Sequence, residues 1–287
     1  MQPICSILIP ACNEEAVIQS TLHSLLLDAK PNEFDIIVLC NGCFDRTADL
    51  AREVHKDISV VEINKPSKTN ALNIGISHTK TENIVFLDAD IKVTAKSVRT
   101  LIKNLEQSQT HLAFGRAVFI VDQASYLVRS FYKAWHLNPY FDEGKIGGYF
   151  ALSKAGIDRL GTFPEITNDD EFVKRKLTSR SYEPQAAYYI DTPRTFPSLL
   201  NVRSRVYKGN QELETANAQG FQPKLGSAKK RHNALLFMKR IIKNPQTWIG
   251  ALIFALSVIL VRLRTKIQRQ SMIWEKDHTT RKSISIE

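Results

Sequence analysis

The first ninety residues alternate between short apolar runs and stretches whose apolar residues recur three or four apart. Ile4 to Pro10 is apolar at every position but Ser6, a length and composition that predict a buried strand. Glu14 and Glu15 then open a helix striped by Ile18, Leu22, Leu25 and Leu26, with negative charge where the helix dipole favours it. Asp35 to Cys40 predicts a second strand, broken by Asn41-Gly42, and Asp45 is placed to cap a helix running to Val54. Ile58 to Ile63 predicts a third strand, followed by a turn at Pro66-Ser67-Lys68 and a helix turning Ala71, Leu72, Gly75 and Ile76 inward. Strands alternating with short helices predict βαβ units, hence an α/β fold built on a Rossmann-like, mainly parallel sheet.

The fourth run, Ile84-Val85-Phe86-Leu87, ends abruptly in Asp88-Ala89-Asp90. A strand of this composition is buried on both faces, and its carboxyl end is where open α/β sheets place ligands. In extended backbone, residues two apart point the same way, so both acids are expected to face one spot. Two hard oxygen donors suit Mg²⁺ or Mn²⁺ with phosphates completing the shell; the plainer alternative is an acidic cap before the helix opened by Thr94. Beyond it, Val98, Leu101, Ile102 and Leu105 predict a helix, Leu112 to Val121 a strand, and residues 125–137 an aromatic-rich helix. Gly147-Gly148 leads into a strand ending at Leu152, the glycines allowing close approach of a ligand or another backbone. Asn168-Asp169-Asp170-Glu171 opens a helix running through Leu177.

Composition narrows the class. With 43% hydrophobic and 24% charged residues, the chain is globular rather than disordered. Its net charge of +10 is unevenly placed: residues 224–287 hold 14 Lys and Arg against 3 Asp and Glu, while the remainder is near neutral. A neutral body argues against nucleic acid as partner, and a basic tail beside an apolar run points to anionic lipid. Met1-Gln2-Pro3-Ile4 lacks a charged leader, so the body is expected in the cytosol. All four cysteines fall within the first 43 residues, and Cys40 and Cys43 are expected to be reduced structural thiols rather than a zinc or redox pair.

Taken in order, these pieces resemble the family-2 glycosyltransferases, inverting, nucleotide-sugar-dependent enzymes of the A-type glycosyltransferase fold. Pro10-Ala11-Cys12-Asn13-Glu14-Glu15 is similar to the family's opening motif, Asn41 to Thr47 to its Asp-x-Ser-x-Asp-x-Thr turn, and Ser67-Lys68-Thr69-Asn70-Ala71-Leu72-Asn73-Ile74-Gly75 to its Gly-Lys-x-x-Ala-Leu-Asn-x-Gly segment. Asp88-Ala89-Asp90 resembles its metal motif, and Gly147-Gly148, Asp169-Asp170 and Arg205 follow in the family's order. The resemblance implies donor binding by Pro10, Cys12, Glu14, Asn41, Asp45, Lys68, Asp88 and Arg205, and metal ligation by Asp90 and Asp88. It implies acceptor contact by Gly147, Gly148 and Tyr149, and a catalytic base at Asp169, with Asp170 second. It further implies a UDP- or GDP-sugar donor, Mn²⁺ or Mg²⁺, and residues 1–223 as catalytic domain, divided into a donor half (1–110) and an acceptor half (111–223). Val206 stands where the family's synthases carry Trp, which favours transfer of a single sugar to a glycan or lipid-linked acceptor over polymer synthesis.

Residues 224–287 are expected to form a basic tail with an apolar helix over 247–263. Trp248 to Val261 is 14 residues without a charge, spanning roughly 21 Å against a ~30 Å hydrocarbon core. Three readings stay open: an interfacial anchor at the cytoplasmic face of a membrane, a short span, and a buried core helix. Trp274-Glu275-Lys276-Asp277 is expected to dock the tail back. Two rival functions also remain: a catalytically inactive sugar-nucleotide-binding scaffold, and a sugar-nucleotide nucleotidyltransferase, which would want a Gly-rich, Arg-containing loop after the first strand.

Overall fold

The apolar run at the start forms β1 (Cys5–Ala11), buried at all seven positions. The computed structural model describes residues 2–216 and 227–267, apart from the side chains of 216 and 227–230. The chain continues through α1 (Ile18–Leu26), β2 (Phe34–Asn41), α2 (Thr47–Val54), β3 (Ser59–Ile63), α3 (Lys68–His78) and β4 (Ile84–Leu87). Then come β5 (Ile91–Lys92), α4 (Ala95–Ser108), β6 (Leu112–Ile120), α5 (Tyr126–Trp135), β7 (Tyr149–Leu152), α6 (Lys154–Leu160), α7 (Asp169–Lys176) and β8 (Arg180–Asp191). Three helices close the described chain: α8 (Phe196–Ala216), α9 (Ser227–Lys243) and α10 (Trp248–Ile267).

The sheet has eight strands in the order β3-β2-β1-β4-β7-β6-β8-β5. β1, β2, β3 and β4 pair in parallel, as the βαβ pattern requires, whereas β7 runs antiparallel to both β4 and β6, and β5 antiparallel to β8. The sheet is therefore mixed, with its parallel half where strands and helices alternate in sequence. β5 and β8 were not expected. β8 hides because its twelve residues alternate irregularly between exposed and buried and include Pro184, which reads as loop.

The chain divides into two compact units, Met1–Val118 with Gly144–Ile190, and Phe119–Glu143 with the chain from Asp191 on. The first holds the sheet and a core running from Ile7 and Ile9 through Val85 and Leu87 to Val98, Tyr149 and Tyr188. The second has its own core, in which Val128, Phe131 and Tyr132 of α5 meet Leu199 of α8 and Ile253 of α10. α10 approaches α5 so closely that a Cβ on Gly250 would lie 2.0 Å from the Ser130 carbonyl oxygen. The C-terminal helices are thus part of a packed unit rather than an appendage. The boundary expected after residue 223 and the docking segment Trp274–Asp277 lie outside the described residues. α10 is longer than the charge-free run: with the turn before it, Pro245–Ile267 is long and apolar enough to cross a membrane by length and composition.

Candidate functional site

In the first unit, the strand order reverses between β1 and β4, and the loops after β1 to β4 leave the same edge of the sheet. Open parallel sheets bind ligands at such a reversal. The loop after β1 turns through Asn13, whose φ of 53° is one Asn tolerates. It is stitched to the loop after β2. Phe44 donates its N–H to Asn13 Oδ1 at 3.0 Å, Glu14 donates to Thr47 Oγ1 at 2.8 Å, and Glu15 to Asp45 Oδ2 at 3.2 Å. Asp45 also accepts from the N–H and hydroxyl of Thr47, 3.0 and 2.5 Å away; the N-cap of α2 is Arg46, with no side-chain capping bond, so Asp45 holds the first helical residue from one position further out than expected. Asn41 is buried, its Nδ2 donating to Ala11 O at 3.0 Å. Pro10 is buried within β1, Glu14 is buried and Cys12 half-buried. These donor-site candidates therefore shape the rim, with Asn41 tying the ends of β1 and β2 together. Cys40 and Cys43 are free thiols; a hydrogen bond from Cys40 draws Cys43 down to about 7.

The centre of the site is Lys68, the first residue of α3. Ser67 caps this helix, accepting from Asn70 N–H at 3.3 Å, and so fixes where Lys68 emerges. Its ammonium bridges two carboxylates, Asp88 Oδ1 at 2.7 Å and Asp169 Oδ1 at 2.9 Å. The Lys68 side chain is 19% exposed and that of Asp169 only 7%. Burial alone would depress the lysine pKa, but the charges of Asp169 and Asp88 outweigh it and raise it. Burial pushes Asp169 up to about 6, with Lys68 pulling against that shift and Asp88 and Asp170 adding to it. A carboxylate so placed is ionised at neutral pH yet basic enough to accept a proton. Asp170, half-buried in the first turn of α7, accepts from Glu171 N–H at 2.7 Å.

The backbone around Asp88 is held from three sides. Asp88 N–H donates to Gly148 O at 2.7 Å, Ile91 N–H to Asp88 O at 3.1 Å, and the Thr21 hydroxyl of α1 to Ala89 O at 2.7 Å. The stretch Asp88–Ile91 is consequently a turn, not the extended backbone that the two-residue spacing suggested. Gly148 is where close approach is used: a Cβ there would stand 2.1 Å from Asp88 Oδ2. At Gly147 it would meet the Tyr188 hydroxyl at 2.7 Å. Tyr149, expected at the acceptor, belongs instead to the core. It is fully buried, its ring 5.5 Å from that of Tyr188, because β7 alternates and this position faces inward.

Two residues outside the expected set position this cluster. Asn73 on α3 accepts from Phe163 N–H at 2.8 Å and donates to Phe163 O at 2.9 Å, clasping the segment that leads into α7 and Asp169. Thr21 anchors the Asp88 turn. An amide on the inner face of a helix was the available signal for Asn73, since such side chains there usually bond to backbone. Arg205 lies on α8, in the second unit, and is half-buried.

Asp88 and Asp90 are the candidate metal ligands, Asp90 exposed and Asp88 half-buried. Among the described residues, no group of three His, Cys, Asp or Glu could hold a metal. Two hard carboxylates with most of the shell left open fit a cation that arrives with phosphate oxygens, Mg²⁺ or Mn²⁺, and not one caged by protein alone.

The sequence profile of glycosyl transferase family 2 matches residues 6–156. A probable glycosyltransferase of Bacillus subtilis (strain 168), YdaM, is 27% identical over 238 residues, covering 73% of this chain and 56% of that protein. The 4,4'-diaponeurosporenoate glycosyltransferase of Staphylococcus aureus (strain USA300) is 33% identical over 183 residues, 61% of this chain and 44% of that protein. The chain thus spans about half the length of the curated relatives it matches. Among solved structures, the mannosyltransferase PcManGT from Pyrobaculum calidifontis, in complex with GDP-Man and Mn²⁺, aligns with a TM-score of 0.58 at 18% identity, covering 92% of this chain and 76% of its own. Residues 1–349 of S. aureus TarS align with a TM-score of 0.53 at 16% identity, covering 86% and 74%. At these identities the likeness speaks to the fold, that of the A-type glycosyltransferases.

Proposed function

The chain belongs to glycosyl transferase family 2, and on that premise we propose that it moves a single sugar from a UDP- or GDP-sugar to the hydroxyl of a lipid-linked or cell-surface glycan acceptor, with inversion. The observation that carries this reading is the Asp88–Lys68–Asp169 bridge, closed on the buried Asp169, beside the strand-order reversal. A divalent cation held by Asp88 and Asp90 with the donor's diphosphate would supply Lewis-acid stabilisation of the leaving group. Asp169 takes the proton of the acceptor hydroxyl as its oxygen bonds to the anomeric carbon and the bond to the nucleoside diphosphate breaks. Lys68 keeps Asp169 ionised at neutral pH and fixes Asp88. Support for a nucleotide-sugar donor comes from the family itself and from the GDP-Man complex of PcManGT; the diaponeurosporenoate enzyme of S. aureus is named for a lipid-like acceptor.

The same proposal places the protein at the cytoplasmic face of a membrane, lying in the surface rather than spanning it. Along α10, Gly250, Ile253, Ser257 and Val261 are buried, while Ile249, Leu252, Leu256, Ile259 and Leu263 are about half exposed or more. A helix with one face packed on α5 and α8 has only the other to offer lipid, which suits an interfacial anchor.

The test is thermal unfolding with a panel of nucleotide sugars, with and without Mn²⁺, because a ligand that binds the native state raises its melting temperature. A donor-dependent rise that needs Mn²⁺ is expected, lost in Asp90→Ala while the unliganded variant melts as the parent does. A panel with no response, or an Asp90→Ala response equal to the parent's, defeats the metal–donor reading.

A further inference from the structure

The second unit carries two cavities that share a wall. One, of about 160 Å³, lies between α8 and α10; three valines, Val258 among them, line it together with Arg203, Tyr207, Asn210, Ser257 and Arg262. The other, of about 450 Å³, lies between α9 and α10 and is lined only by apolar side chains, among them Phe237, Ile241, Ala251, Phe254, Ala255 and again Val258. Val258 is common to both linings, which places a small cavity with two arginines next to an apolar groove.

Arg203 is the unusual member. It is half-buried on α8, its guanidinium 5.0 Å from the Trp135 ring centroid and 5.9 Å from that of Phe131. Among the described residues no carboxylate, carbonyl or hydroxyl bonds to it. Burial lowers its pKa from the usual arginine range, with Tyr132 and Tyr140 pulling the other way. Stacking covers the flat faces of a guanidinium and leaves its N–H groups, which lie in the plane, open to an acceptor from solution. Arg262, exposed on α10, lines the same cavity and likewise has no ion pair among the described residues. Other arginines of these helices are engaged: Arg240 pairs with Asp142, and Arg264 donates to Asn201 Oδ1. The apolar groove, for its part, has Met238, Ile242 and Ile259 in its lining, all exposed.

We infer that α8, α9 and α10 form a binding site for one anionic amphiphile, its phosphate or carboxylate head on Arg203 and Arg262 and its hydrocarbon chain in the α9–α10 groove. Charge complementarity selects the head, since two cations without counter-charges among the described residues call for an oxyanion that can take paired N–H donors. The groove selects the tail, because each CH₂ it removes from water adds to binding while offering no polar partner to a hydrophilic chain. The site deepens the lipid-linked acceptor proposed above and rests on that reading for its use. Its occupancy, however, is measured without donor.

The experiment is native mass spectrometry of the full chain released from non-ionic detergent, with four probes: oleoyl lysophosphatidate, oleate, oleoyl lysophosphatidylcholine and inorganic phosphate. One equivalent of either anionic oleoyl probe is expected, the two arms distinguishing a phosphate head from a carboxylate, with no adduct from inorganic phosphate. Arg203→Gln and Arg262→Gln should each weaken binding about tenfold or more, the effect of losing a hydrogen-bonded charge partner. Ala255→Trp, at a position that lines the groove and not the arginine-bearing cavity, should weaken it as much. Arg262 is exposed, so its variant reports even where Arg203→Gln fails to fold. Equal uptake of the zwitterionic probe with no loss in the arginine variants would overturn the head site, and binding of inorganic phosphate alone would overturn the amphiphile. A nucleotide-sugar thermal shift retained in these variants separates failure of this inference from failure of the transfer reading.

Discussion

Replacing Lys68 by Met removes the one cation between Asp88 and Asp169 at nearly constant volume. At 2.7 and 2.9 Å, each contact has a gross Coulomb energy of about 6 kcal/mol at an effective dielectric of ~20, much of it spent on desolvating the ammonium. An opposite charge at this range typically moves a carboxylate by ~1–3 pKa units. Asp169 stands near 6 with Lys68 pulling it down; without Lys68 it should titrate at ~7–9. If Asp169 is the base, the acid limb of the kcat/KM profile, read as release of nucleoside diphosphate, moves up by the same amount. Activity at pH 7 then falls by about twofold (at pKa ~7) to about a hundredfold (at pKa ~9) from protonation alone, and recovers partly toward pH 9. Stability carries the matching sign. A carboxylate whose folded pKa lies above its unfolded value binds more protons when folded, so stability falls as pH rises from about 4 to the folded pKa. The variant's deficit, on the order of 3–5 kcal/mol for a buried charge left unpaired, is therefore smallest near pH 5 and full above pH 8–9. A profile scaled down uniformly, with its acid limb still near pH 6, would mean that Lys68 does not govern the proton on Asp169.

Gly148→Ala brings a methyl carbon to 2.1 Å from Asp88 Oδ2, and must displace that side chain or the strand entry. It should abolish the donor-dependent thermal shift at a modest cost in melting temperature, and a variant that binds donor normally would show that Asp88 has no fixed role. Asp169→Asn should leave the donor shift in place and reduce turnover by 10²-fold or more, within the usual range for a general base; if Asp170→Asn does so instead, the base is Asp170. Leu252→Glu with Leu256→Glu, both on the exposed face of α10, should shift the protein from pelleted anionic vesicles to the supernatant without changing its melting temperature. Pelleting that is unaffected would move the membrane contact elsewhere.

How much of this was legible depended on whether a signal was local. The alternation that predicts β1 to β4 is carried by each segment on its own, because strands buried on both faces must be apolar throughout. The parallel half of the sheet was therefore readable, and with it the edge at which the candidate site is placed. β8 was not, since an antiparallel strand beside short β5 tolerates polar residues and a proline, and its strand character comes from its neighbours. The Gly147-Gly148 pair announced a close approach, but what approaches, the Asp88 carboxylate, is set by the β4–β7 pairing and by no property of the glycines. Tyr149 failed for the same reason: the resemblance placed it beside a ligand-facing glycine, and the two-residue period of β7 turned its ring into the core.

Charge was the least readable layer. Lys68 carries the same formal charge whether it meets a diphosphate or two carboxylates, and only a separation of 101 residues closed by the fold brings Asp169 to it. The tail shows the converse. Its net positive charge suggested a diffuse attraction to anionic lipid, whereas the structure sorts those charges into paired ones, such as Arg240 with Asp142, and one, Arg262, that lines a cavity with no ion pair among the described residues. A diffuse attraction is screened by salt over roughly 8–10 Å at physiological ionic strength, while a partly buried guanidinium is screened far less. The two contributions therefore separate by salt titration. Vesicle adsorption should decline steeply as NaCl rises, and capture of a single anionic amphiphile should decline little. A common salt slope for both would place Arg203 and Arg262 with the rest of the surface charge and leave the small cavity without a ligand of its own.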